Sequence, residues 1–114
     1  MNKYMFLFRG GEPSAELSPK EMQANMQKWG GWMQGLSKTG NFVAGEPLDV
    51  QGKVVRGTSK TVTDGPFAEA KDLVGGYLIV SAESLEHAVE LSKGCPIFEA
   101  NGLVEVRPVR TLQM

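Results

Sequence analysis

Two short stretches of this 114-residue chain hold the side chains best suited to polar chemistry on a small molecule. In TDGPFAEAKD, residues 63–72, Asp64 and Glu69 are carboxylates able to act as general acid or base. In VEVRPV, Glu105 and Arg107 share one face of an expected strand, and a guanidinium suits a carboxylate partner. Asp64 and Gly65 are strong turn formers, Pro66 fixes one φ, and Phe67 is large enough to anchor the turn in the core. Such a turn holds Asp64 rigidly and presents Glu69 nearby, with Lys71 and Asp72 within one helical turn. The same residues also allow a purely local role, in which Asp64 accepts backbone hydrogen bonds inside its own turn. The pair in the last strand is open in the same way: Glu105 and Arg107 either meet a ligand's polar groups or pair with neighbouring charges.

The other chemically able residues point elsewhere. His87, the single histidine, falls on the polar arc of a helix and reads as a solvated side chain rather than a general base. Cys95, the single cysteine, sits in KGCPIF just past a helix end and reads as a small inert hydrophobe. One Cys and one His without ligand spacing give no metal signature. Neither RGGEPS nor VGGYL has the Gly-x-Gly-x-x-Gly order before a helix, so no nucleotide cofactor is indicated.

These residues must be positioned by a small set of elements. KYMFLFR, residues 3–9, alternates Tyr4, Phe6 and Phe8 with Met5 and Leu7, so both faces of this strand are apolar and need cover. Ser18-Pro19-Lys20-Glu21 is a capping box with Pro at the first helical position. The helix it starts carries a stripe of Met22, Met26, Trp29, Met33 and Leu36 up to Gly40. Gly30, Gly31 and Gly35 interrupt it, each at about 1 kcal/mol relative to Ala. Either close approach of another backbone or room for a ligand beside Trp32, which flanks the stripe, would compensate. NFVAGEPL reads as a short strand broken by Gly45 and Pro47, KVVRGTSKTVT as a hairpin turning near Gly57 to Lys60, and VGGYLIVSA as a central strand apolar on both faces. Ser84 caps a second helix closed by Gly94 and Pro96, and NGLVEVRPVR is a final strand. Strand, helix, two or three strands, helix, strand suggests a ferredoxin-like α+β sheet with both helices on one face.

With 41% hydrophobic and 22% charged residues the composition is that of one globular domain, spanning residues 1–114. A formal charge of −1 without runs of either sign leaves no footprint for direct nucleic-acid binding. The N-terminal apolar run is too short for a signal or membrane segment, and the lone cysteine suits a reducing compartment, so the cytoplasm is the expected location. A domain this small gains from a shared interface, and a second copy is the economical cover for the second apolar face of the sheet.

The run TDGPFAEAKDLVGGYLIVSAESLEHAVELSKGCP followed by VEVRPV resembles the DGPF-type branch of the YCII-related family. The resemblance rests on Asp64-Gly65-Pro66-Phe67, Glu69, Lys71, Gly75-Gly76-Tyr77, Cys95-Pro96 and Glu105-Val106-Arg107-Pro108, and extends over essentially the whole chain. It implies a dimeric α+β barrel in which two ferredoxin-like sheets pack face to face. The broader family carries a His and Asp pair in a cleft that supports small-molecule enzymology, and DGPF-type domains also occur linked to alternative sigma factors. This chain has no His in its first helix, and His87 does not match that position, so acid–base chemistry would fall to Asp64, Glu69 or Glu105. The expectation is a homodimer binding a small organic molecule between sheet and helices, with Asp64, Glu69 and Arg107 as polar groups and Trp32 as apolar wall. The alternative is a non-enzymatic interaction module of sigma-factor regulation.

Overall fold

A computed structural model of the chain describes residues 1–11, 17–65 and 73–112. Along the chain run β1 (Asn2–Arg9), α1 (Pro19–Lys38), β2 (Phe42–Pro47), β3 (Gly52–Arg56), β4 (Thr61–Gly65), β5 (Val74–Ala82), α2 (Leu85–Ser92), a 3₁₀ turn (Pro96–Ala100) and β6 (Leu103–Pro108).

The alternating strands form an antiparallel four-stranded sheet in the order β2-β5-β1-β6. Alternation along β1 sends Tyr4, Phe6 and Phe8 to one face, where they meet Leu78, Val80 and Ala82 of β5. Phe6 and Val80 are completely buried there. Trp29, Trp32, Met33 and Leu36 of α1 and Ala88 and Leu91 of α2 pack on this face, so both helices cover the same side. Order and cover together are the ferredoxin-like arrangement.

Both helices start where the sequence marks them. Ser18 Oγ accepts from the Glu21 N–H at 3.1 Å while the Ser18 N–H donates to Glu21 Oε1 at 3.3 Å, the expected capping box. At the other end Gly40 takes φ 76°, and the Asn41 N–H returns to the Leu36 carbonyl at 2.9 Å. Asn41 then pins this end to the sheet, donating Nδ2–H to the Ser81 carbonyl at 2.7 Å and accepting the Ser81 N–H on its own carbonyl at 2.7 Å.

Two expectations need correction. The apolar stripe does not pack along its whole length: Met26 is 67% exposed, and the inward face of α1 is Trp29, Trp32, Met33 and Leu36. In α1, 20 residues and about 30 Å long, the packed stretch begins at Trp29, and Trp32 belongs to the packed face rather than flanking it. The second correction is β2, which Gly45 does not break. Phe42–Pro47 is one strand with a bulge between Phe42 and Ala44. Gly45 lies so close to β5 that a Cβ there would stand 2.8 Å from the Tyr77 carbonyl oxygen, which is why glycine occupies the position.

β3 and β4 form a separate two-stranded hairpin with register Lys53↔Asp64, Val54↔Thr63, Val55↔Val62 and Arg56↔Thr61, turning through Gly57 to Lys60 as read from the sequence. It leaves the body as an arm. Its valines are largely exposed, Val55 61% and Val62 60%. The Cα radius of gyration, 15.8 Å, exceeds the roughly 13 Å of a compact chain near this length. Among the described residues, no helix is long and apolar enough to cross a membrane.

Candidate functional site

A groove of about 520 Å³ opens on the helix side where the middle of α1 meets the end of α2 and the 3₁₀ turn. Gln27, Lys28, Gly31 and Trp32 come from α1, Lys93 and Gly94 from the end of α2, and Cys95, Pro96, Phe98 and Glu99 from the segment that follows. These elements meet because Trp32 is held in place: its indole N–H donates to the Leu91 carbonyl at 3.2 Å, and its ring lies in an aromatic cluster with Phe6, Phe8 and Trp29. Gly94 lets α2 end against the indole, since a Cβ there would stand 3.0 Å from Trp32 Cδ1. Opposite, a Cβ built at Gly31 meets no described atom within 4 Å, so the glycine leaves the groove open rather than admitting a neighbouring backbone.

The groove is apolar at its wall and charged at its mouth. Lys28 Nζ pairs with Glu99 Oε1 at 3.1 Å, and Lys93 Nζ with Glu90 Oε1 at 2.8 Å. Cys95, 4% exposed, is an inert liner. Burial pushes its thiol up to about 12, opposed by a backbone hydrogen bond from Ile97, so the nucleophilic thiolate does not form near neutral pH.

A second polar group lies on the opposite face of the sheet, which no described helix covers. Leu7 pairs with Glu105 and Met5 with Arg107 across β1 and β6, putting all four on that face. Glu105 is held between two guanidiniums, with Arg9 Nε at 3.1 Å from Oε1 and Arg107 Nε at 3.9 Å from Oε2.

The residues singled out in the sequence are therefore not gathered in one place. Trp32 walls the groove, while Arg107 lies on the far side of the sheet and is 67% exposed. Asp64 is a strand residue of β4, 77% exposed and paired across the hairpin with Lys53, while the Pro66-Phe67 half of the expected turn lies outside the described residues. Glu69 lies outside the described residues, as do Pro66, Phe67, Lys71 and Asp72. His87 helps to start α2, its Nδ1 accepting the Glu83 N–H at 3.1 Å while its own N–H donates to Ser84 Oγ at 3.0 Å. Lys28, Lys93, Phe98 and Glu99 were missed, because three separated segments bring them together; the interrupting Gly31 beside Trp32 was the local signal. Among the described residues, no three His, Cys, Asp or Glu side chains converge as metal ligands.

Comparison with known proteins places the chain by fold. The YCII-related domain family matches residues 3–113. A search of curated protein sequences returns no significant match. Among solved structures, the chain is similar to the 5-chloro-2-hydroxyhydroquinone dehydrochlorinase of Burkholderia phenoliruptrix in complex with 2,5-dihydroxybenzoquinone. The two are 16% identical, with 95% of this chain and 93% of the other covered at a TM-score of 0.52.

Proposed function

Since this chain belongs to the YCII-related domain family, we propose that it binds a small ring-containing organic acid, and that the groove beside Trp32 receives it. The observation that carries this reading is the groove itself, a solvent-open trough of about 520 Å³, where small-molecule sites usually run to roughly 300–1,000 Å³. Trp32 and Phe98 offer aromatic surface to a flat ring, and the ligand's acid group would exchange with Glu99 and Glu90 for the exposed Lys28 and Lys93 that they pair with. The bound dihydroxybenzoquinone of the dehydrochlorinase supports a flat oxygenated ligand for this fold. Asp64-Gly65-Pro66-Phe67 supports the finer assignment to the DGPF-type branch.

The described carboxylates support binding, since each is solvent-facing or already engaged. Asp64 is solvent-facing on the arm, Glu105 is engaged by Arg9 and Arg107, and Glu99, the described carboxylate lining the groove, is engaged by Lys28. The same reading has two copies pack open face to open face, since Met5, Leu7, Tyr77 and Ile79 lie on the sheet face that no described helix covers.

Thermal-shift titration against a panel of small cyclic acids tests the proposal. A ligand at a hundred times its dissociation constant stabilises by about 2.7 kcal/mol, a readily measured shift. Gly31→Phe fills the groove without displacing any described atom at its Cβ, so it should abolish the shift and keep the fold. A hit kept by Gly31→Phe and lost in Asp64→Ala would move the site to the DGPF segment and overturn the groove.

A further inference from the structure

The β3–β4 arm has little packing partner among the described residues of its own subunit. An isolated two-stranded hairpin is marginally stable in water and becomes stable by packing on something else. Here the two strands pack mainly on each other, and among the described residues of the arm only Val54 and Gly65 are even half-buried. Val55 and Val62 face each other across the ladder and form one apolar patch, 61% and 60% exposed, on the same face as Lys53 and Asp64. Val50, at the arm's base, adds a further side chain at 69% exposure.

Charge complementarity favours a second copy as the occupant of that patch. Residues 52–65 carry Lys53, Arg56 and Lys60 against Asp64 alone, a formal +2, whereas the whole chain is −1, leaving the remainder at −3. The arm is basic and the body it springs from is acidic. Complementary potentials favour association and fix its orientation. A two-fold pair satisfies both partners at once, because each copy offers one arm and one body.

We propose that the arm of one copy clasps the body of a second copy, seating Val55 and Val62 on it. This rests on the homodimer of the preceding reading and adds to it an element that reaches across. It gives the arm the cover that the described residues of its own chain do not supply, and it accounts for valines held out on a ladder.

The experiment is sedimentation velocity of the full chain across a concentration series, beside two variants. In the first, residues 53–64 are replaced by Asn-Gly, which closes the Gly52↔Gly65 pair as a two-residue hairpin turn. The second, Val62→Asp, keeps the arm and charges its patch. The intact chain is expected to be dimeric, with both variants raising the dissociation constant by at least about tenfold and added salt weakening the intact dimer. An unchanged constant in both variants overturns the clasp and leaves the open-face dimer standing. An intact chain that is monomeric at every concentration overturns both. Amide exchange over residues 54–63 gives a second readout: protection that rises with protein concentration supports the clasp, and protection independent of concentration contradicts it.

Discussion

The centre of the sheet and the arm are built from the same local material. Each is an antiparallel pair with large apolar residues facing one another, Phe6 against Leu78 in one and Val55 against Val62 in the other. Their surroundings differ. Two helices lie over Phe6 and leave it no exposed surface, while Val55 keeps more than half of its own. A ladder of hydrogen bonds exchanges partners with water at little net gain, so cover by a second layer makes β1–β5 a core and its lack leaves β3–β4 an appendage.

The sharpest test removes a side chain from the covered centre. Phe6→Ala should cost about 3–5 kcal/mol, a large part of a small domain's stability, and appear as a lowered denaturant midpoint. A cost under about 1 kcal/mol would break the contrast. Gly45→Ala, where β2 joins the centre, should cost about 1–3 kcal/mol as the strands part around the Tyr77 carbonyl.

Cys95 sharpens the comparison through pH. Its folded pKa is raised from 9.0 to about 12, so above pH 9 the unfolded chain loses the thiol proton while the folded chain keeps it. Stability should therefore fall as pH rises from about 9 towards 12, by up to about 1.4 kcal/mol per unit, and Cys95→Ala should lack this component. Alkylation of the native protein at pH 8 should be slow and should accelerate on unfolding. The smallest effect belongs to the arm. Lys53→Ala breaks an exposed pair with Asp64, worth about 0.2–1 kcal/mol at most, and should leave the melt of the subunit nearly unchanged.

How legible this was in the sequence follows the same division. The strands of the sheet, the Ser18 capping box and the hairpin turn at Gly57 to Lys60 are written in local patterns, and local patterns set local structure. Burial is not local. The β-branched Val54, Val55 and Val62 say strand without saying whether anything lies against it, and the 3.6-residue stripe of α1 continues through Met22 and Met26, which stay exposed. The groove was the least legible part, because Lys28, Lys93 and Phe98 meet through the crossing of separate elements. Asp-Gly-Pro favours a turn, and no local pattern shows that Asp64 at its start is also the cross-strand partner of Lys53 in β4.

At the arm's root, the Leu48 N–H donates to the Gly75 carbonyl at 2.9 Å, extending the β2–β5 pairing to a closed neck. The ends of everything between these residues are thus already brought together by the body. Closing a longer or shorter excursion there changes the loop entropy only slowly, by about 0.6 kcal/mol for each doubling of length. The neck is a grafting port: foreign peptides or reporter modules inserted between Leu48 and Gly75 should leave the sheet and the groove to fold as before.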